Sequence, residues 1–433
     1  MSRVVVAASP LAGHTFPMIQ IAGELVTAGH DVTFVGGERF ADHVAQAGAT
    51  LRPLTGRAAY DDRRMAEFFP ERSTLSPGPE MLTWDVSHVF GDAIPDQHAL
   101  IQELLAEDPD AVVVAELMFL GGLPSLHGAG IRPRRWIGVG ISPLYYPSDD
   151  TTPFGPAPVA PGTDQVEANR ATNAGLAAAL SGAAEYLQRV VDGLGATGFT
   201  MPNYFSTMYT EPDDVLQLTV PEFEFPRSDL PENLVRFTGP LPPVAPEGWT
   251  EPAWWPELDG GRPVVVVTQG TLANDDLSEL VEPTLAAFDG ENVLVVAALG
   301  RSAGALTGAL TGAVPANAVV EEFVPFDRLL PHADVFVTNG GYGATQQALA
   351  AGVPVVVAGQ TEDKPAIAAR VGLLGLGIDL RTQRPTSEEV AGAVRQVLAT
   401  PSFRDRAGEL ALAYEKVDGP RLIVDVVADA FRR

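Results

Sequence analysis

Two series of valine-rich runs constrain this chain more than any other feature. The first opens with "RVVVAA" and continues through "DVTFV", "DAVVVAE" (110–116) and "RRWIGVGIS" (134–142). The second opens with "RPVVVVTQG" and continues through "NVLVVAALG", "NAVVEEFVP", "DVFVTNGG" and "VPVVVAG". Each run reads as a buried strand, and helix-like sequence separates most neighbours. In "MIQIAGELVTAGH", for example, Ile19, Ala22, Leu25 and Val26 share one helical face, and Gly29 stands where a C-terminal cap is expected. Strands alternating with helices predict parallel α/β structure, here twice over.

A Pro-rich, non-periodic stretch at 225–256 reads as an interdomain linker, which sets a first domain over 1–224 and a second over 257–408. Another irregular segment, "SDDTTPFGPAPVAPGTD" from Ser148, reads as a mobile loop of the kind that serves as a binding lid. Thr386 and Glu389 form a capping box opening a helix. No repeat at solenoid periods is present.

With 28 Lys and Arg against 55 Asp and Glu, the formal charge of the 433-residue chain is −27. Such a surface offers neither the basic stripe of a nucleic-acid binder nor a basic amphipathic helix for a membrane, so any phosphate must be held locally. Apolar residues are 46% and charged residues 19% of the chain, a composition that folds. Without cysteine there is no disulfide, thiolate metal site or Cys nucleophile. The apolar part of "MSRVVVAASPLAGH" is too short for a signal-peptide core, and no run approaches the ~18 residues of a membrane span. A cytoplasmic protein, monomer or homodimer, is expected. The scattered His residues lack zincin spacing, and neither a GxSxG elbow nor a Walker motif occurs.

Chemistry concentrates between Glu321 and Pro365. A strand at 335–338 feeds the turn Asn339-Gly340-Gly341-Tyr342-Gly343 and then the helix "ATQQALAAG". Small residues let a ligand approach the backbone, and the N–H groups at the helix start suit a diphosphate. Helix-terminus electrostatics supply ~0.3–2 kcal/mol and each charge-assisted hydrogen bond ~1.5–3 kcal/mol, so phosphate binding needs no basic surface. The same glycines would also serve a tight β-to-α turn with no ligand at all.

This segment resembles the donor-binding signature of the UDP-glycosyltransferase family, inverting enzymes of the two-domain GT-B fold. The matching residues are Phe323-Val324-Pro325-Phe326, Phe336-Val337-Thr338-Asn339-Gly340-Gly341, Gly352-Val353-Pro354 and Asp363-Lys364. The resemblance implies two Rossmann-like doubly wound domains facing across a cleft, with a C-terminal helix (409–433) crossing back to the first. It implies transfer of a hexose, glucose from UDP-glucose, to a hydroxyl of a lipophilic natural-product acceptor, with no metal or other cofactor. A dTDP-deoxysugar donor, a nucleotide-sugar epimerase and a non-catalytic binding protein of the same fold are the alternatives.

By that resemblance the general base is His14, in "LAGHTFP" after the first strand, and its orienting carboxylate is Glu116, where the family carries Asp. An imidazole with an unperturbed pKa near ~6.5 suits the role. Donor contacts are expected from Gly270, Thr271, Arg301, Phe323, Val324, Asn339, Gly340, Gly341, Gly343, Ala344, Thr345, Glu362, Asp363 and Lys364. Asn339 replaces the family His, Ala344 a Ser, Gln347 a ribose-binding Glu and Lys364 a Gln, so Lys364 is expected to restore charge lost at Asn339. Acceptor contacts are expected from Phe68, Phe69, Trp84, Phe90, Met118, Phe119, Tyr145 and Tyr146.

Overall fold

The computed structural model describes residues 3–76, 78–159, 162–243, 248–270, 276–300, 310 and 312–432. Two units emerge. The first gathers the chain up to Leu218, then Pro226–Gly239, then the C-terminal residues from Asp418; the second comprises Thr219–Phe225 and Pro240–Val417.

In the first unit β1 (Arg3–Ala7), β2 (Asp31–Gly36), β3 (Thr50–Pro53), β4 (Val112–Glu116), β5 (Arg135–Gly140), β6 (Asp214–Gln217) and β7 (Arg236–Phe237) form one sheet in the order β3-β2-β1-β4-β5-β6-β7. Every pairing is parallel. In the second unit β8 (Val264–Thr268), β9 (Leu294–Ala298), β10 (Ala318–Glu321), β11 (Val335–Thr338), β12 (Val355–Val357) and β13 (Gly377–Asp379) follow the order β10-β9-β8-β11-β12-β13, again all parallel. The absence of polar alternation in the valine runs now has its reason. Val264, Val266, Val296 and Phe336 face one core of the second unit, while Val265, Val267, Val295 and Val337 face another, so both sides of the sheet are dry.

The strand order reverses beside β1 in the first unit and beside β8 in the second. At such a switch point the connections leave the carboxyl ends of two adjacent strands in opposite directions and open a crevice. In the first unit those strands are β1 and β4; in the second they are β8 and β11.

Several expectations need correction. The stretch 225–256 is not a free linker: its first part joins the first unit through β7, which pairs with β6, and the part from Pro240 belongs to the second. The residues 409–433 are not one helix. Pro401–Tyr414 stays in the second unit, while Gly419–Arg432 joins the first, where Arg134 donates to the carbonyls of Ala430 (2.9 Å) and Phe431 (3.0 Å). Of the segment from Ser148, the part Ser148–Ala157 is pinned. The Asn169 amide donates to the Asp149 carbonyl (2.8 Å) and accepts from the Ala157 N–H (2.8 Å), and Asn173 donates to the carbonyls of Ser148 and Thr151. Side-chain amides on the helix Gln165–Ala179 thus replace the secondary structure that Pro and Gly deny the loop. The strands β3, β6, β7 and β13 escaped notice because they are short and partly polar.

Candidate active site

His14 lies in the first turn of α1 (Ala12–Thr27), directly after β1, and Glu116 is the last residue of β4. The parallel pairing of β1 with β4 therefore brings together two residues about a hundred positions apart in sequence. Nδ1 of His14 stands 3.2 Å from Oε2 of Glu116, whose side chain is wholly buried. That carboxylate also accepts the Ser9 N–H on Oε1 (3.1 Å) and the Met118 N–H on Oε2 (2.6 Å). Burial by itself would raise the Glu116 pKa; the His14 imidazole and the Ser9 hydrogen bond outweigh it and hold the carboxyl below its ordinary value. With Nδ1 turned to a fixed carboxylate, a neutral His14 presents Nε2 as the lone-pair face, the arrangement of an oriented general base.

The extra methylene of Glu over Asp is accommodated because the backbone N–H groups on either side of the crevice clamp both oxygens. Further support was invisible in the sequence. The α1 N-terminus has no cap of its own; instead Oδ2 of Asp62 accepts the Ala12 N–H (2.7 Å), and Arg39 pairs with the other oxygen while lying 3.8 Å over the Phe40 ring. A carboxylate at a helix N-terminus stabilises it, so Asp62 fixes the turn that carries His14. Nothing in "YDDRR" announces this role. Tyr60 also joins the cluster. Burial, then the charges of Glu116, Asp62 and Asp85, push its phenol well above the ordinary value, so it stays protonated.

Of the expected acceptor residues, Phe90 comes nearest the base, its ring centroid 5.8 Å from that of His14. Phe69 packs edge-on against Tyr60 (5.1 Å) and Trp84 (5.9 Å), and Met118, Tyr145 and Tyr146 border the same apolar cluster. Tyr145 stacks on Phe205 at 5.4 Å. Phe68 is exposed, its nearest ring partner being the Arg64 guanidinium. The structure does not bring Phe119 to this group. It is buried in a different cluster with Leu100, Ile101 and Trp136, because the turn after Glu116 sends its side chain to the opposite side of the sheet.

In the second unit the ends of β8 and β11 meet in the same manner. Nδ2 of Asn339 donates to the Gln269 carbonyl (2.5 Å), tying the two strand ends together. Gln269 in turn accepts the N–H groups of Leu280 (3.1 Å) and Val281 (3.0 Å). Gly270 and Gly340 adopt φ of +74° and +92°, which an L side chain resists, and each N–H bonds the Thr hydroxyl two residues earlier, Thr268 and Thr338 (3.2 Å in both). Gly341 is the N-cap of the helix Tyr342–Ala350, and neither Gly341 nor Gly343 has any atom within 4 Å of where a Cβ would stand. Among the described residues, nothing beyond the chain neighbours and the helix's own backbone crowds these two positions. Ala344 packs on the core, and Thr345 is fully buried. Phe323 is half exposed at the turn after β10, while the Val324 side chain is committed to the core.

Two donor-side expectations change. One of the two Asn339 amide N–H donors is already engaged by the Gln269 carbonyl. Lys364 is buried, and its Nζ contacts Oε2 of Glu362 (2.6 Å) and the Thr361 hydroxyl (3.0 Å), since a buried ammonium requires partners. It brings no uncompensated charge. Glu362 reaches it from a backbone with φ of +58°, and Asp363 precedes the helix Lys364–Leu373. Thr271 and Arg301 lie outside the described residues. Among the described residues no group of three or more His, Asp or Glu is arranged to hold a metal ion.

Comparison with known proteins bears on the fold and the family. Residues 279–428 match the family model of the erythromycin biosynthesis protein CIII-like C-terminal domain. The chain is 36% identical to UDP-glucosyltransferase B1 of Starmerella bombicola, over 98% of each chain. It is 37% identical to 4'-demethylrebeccamycin synthase of Lentzea aerocolonigenes, over 98% of this chain and 99% of that one. Among solved structures, the glycotransferase of kitacinnamycin superposes with a TM-score of 0.73 at 23% identity, covering 99% of this chain and 98% of the other.

Proposed function

The chain belongs to the UDP-glycosyltransferase family of the natural-product type, nucleotide-sugar-dependent glycosyltransferases of GT-B fold, and on that premise we propose that it transfers glucose from UDP-glucose to a hydroxyl of a bulky apolar acceptor. The observation that carries the reading is the His14–Glu116 contact of 3.2 Å at the switch point of the first sheet. In the proposed step Nε2 of His14 takes the acceptor hydroxyl proton as that oxygen attacks the anomeric carbon. The bond from carbon to the diphosphate oxygen breaks on the opposite face, and UDP leaves with the electron pair, inverting the centre. Glu116 keeps Nδ1 protonated and stabilises the imidazolium as it forms. The N-terminus of the helix Tyr342–Ala350 would take the charge developing on the diphosphate.

The acceptor class rests on the aromatic and thioether side chains around Phe90, Trp84 and Met118. The donor rests on the turn at Gly340 and on the likeness to a relative named as a UDP-glucosyltransferase. His14→Ala should abolish transfer and leave UDP binding by calorimetry unchanged; wild-type turnover in that variant overturns the mechanism. In a thermal-shift panel UDP-glucose should stabilise more than any dTDP-sugar, and the reverse order would reassign the donor.

A further inference from the structure

The helix Pro79–Trp84 runs without a break into a π-helical turn, Asp85–Gly91, closed by the Asp92 N–H donating to the Ser87 carbonyl (3.0 Å). Such turns are costly and concentrate at functional positions. This one presents two different faces. Val86, Val89 and Phe90 point into the core, with Phe90 against His14. Trp84, Ser87 and His88 line a separate open cavity of about 370 Å³, together with Leu75, Glu80 and Thr83. That volume lies within the range of small-molecule sites.

Apart from the Trp84 indole N–H, the cavity's polar side chains can act as acceptors. The hydroxyls of Thr83 and Ser87 turn their hydrogens to the carbonyls of Pro79 (2.7 Å) and Thr83 (2.9 Å). Nδ1 of His88 lies 3.3 Å from Oδ2 of Asp92, whose other oxygen takes the Tyr186 hydroxyl. A neutral His88 ring held in this way keeps its proton on Nδ1 and offers the Nε2 lone pair. Glu80 adds an exposed carboxylate on the rim, and the Trp84 ring, 4.9 Å from His88, supplies an aromatic face. Neighbouring cations are occupied elsewhere: Arg72 grips Asp85 through two bonds (2.7 and 3.0 Å), and Arg189 lies 5.7 Å over the Tyr186 ring.

An aromatic wall with a carboxylate and a lone pair, and no donor of its own turned inward from the helix hydroxyls, suits a positively charged donor. We infer that this cavity is a second ligand site of the first unit and that it binds a protonated amine attached to a ring. The ammonium sits between the Trp84 face, Glu80 and Nε2 of His88, and the ring covers Leu75. Trp84 meets Phe69, and Phe69 meets Tyr60 in the cluster that surrounds Phe90, so the cavity adjoins the apolar side of the catalytic His. It would therefore receive the basic end of a large acceptor whose hydroxyl reacts at His14. That role rests on the proposed transfer, whereas the binding itself does not.

The test uses the full chain without any nucleotide sugar, titrated with phenethylamine and with its neutral isostere 2-phenylethanol, read by saturation-transfer NMR and calorimetry at pH 7. The amine should bind about fivefold more tightly than the alcohol, as a cation–π contact beside a carboxylate gives. Glu80→Gln should reduce that preference about threefold, and Trp84→Ala should remove amine binding. His14→Ala should leave amine binding intact, which separates this site from the catalytic one. Equal affinity for the two probes, no binding of either, or an amine affinity that neither Glu80→Gln nor Trp84→Ala alters would overturn the assignment. Glu80 is exposed, so its variant tests the site even if Trp84→Ala fails to fold.

Discussion

Replacing Glu116 by Gln tests the catalytic pair most directly, because the side chain keeps its shape and loses only its charge. In the native protein both oxygens accept: Oε1 from Ser9, and Oε2 from Met118 with Nδ1 of His14 at 3.2 Å. An amide has one oxygen, so either orientation sets an N–H₂ against an N–H. The less damaging choice turns the amide nitrogen to Ser9 and sacrifices that bond, a cost of about 1–3 kcal/mol in stability. The kinetic cost is larger. In the transition state His14 becomes an imidazolium, and at 3.2 Å with an effective dielectric constant near 20 the lost attraction is about 5 kcal/mol. At ~1.36 kcal/mol per decade this is between about three and four decades in kcat. Transfer followed by chromatography at saturating UDP-glucose measures kcat, and calorimetry measures UDP affinity, which should move less than about twofold for a residue whose partners all lie in the first unit. A kcat within about tenfold of wild type, with UDP affinity unchanged, would refute the coupling of this carboxylate to the base.

The remaining predictions concern the supports of the site. The kcat/KM profile should fall on its acid side as His14 is protonated, and Glu116→Gln should move that limb to lower pH, since the carboxylate no longer favours the imidazolium. Because the folded Glu116 pKa is depressed, its stabilising contribution is complete above the unfolded value near ~4.3 and drains away as pH falls through the lower folded value. The melting temperature of wild type should accordingly fall more steeply between pH 5 and 3 than that of Glu116→Gln. Asp62→Ala uncaps α1 and leaves Arg39 only its longer contact to Asp61 (3.6 Å), so it should cost about 1–3 kcal/mol in denaturant unfolding and reduce kcat by misplacing His14. Arg370 and Glu224 are both buried and 2.5 Å apart, so Arg370→Met should destabilise by about 3–5 kcal/mol, with much of that recovered in the double variant with Glu224→Leu. Lys364→Gln should change UDP affinity and its salt dependence little, since Glu362 already neutralises the ammonium; a marked loss would show that Lys364 reaches the donor.

What the amino-acid sequence determined by itself was the architecture and the positions of its chemistry. Runs such as "RVVVAA" and "RPVVVV" have no polar face, so they can only be central strands covered on both sides, and their alternation with helical sequence forces parallel sheets. The turn after such a strand is a place for ligands, which made the Gly340 turn legible, whereas His14 was named by the family resemblance and its strand-end position only accords with it. Signals of this kind are local. The rest depends on contacts between distant segments. The pairing of β1 with β4 sets Glu116 against His14, the pairing of β8 with β11 engages one Asn339 amide N–H with Gln269, and Asp62 reaches α1 from fifty residues away. Phe119 looked like Phe90 in the sequence and went to the other side of the sheet, and Lys364 looked like a free cation until its backbone folded Glu362 onto it. A strand or helix is fixed by the side chains along it, but a site is fixed by which strand ends lie side by side, and only the tertiary structure decides that.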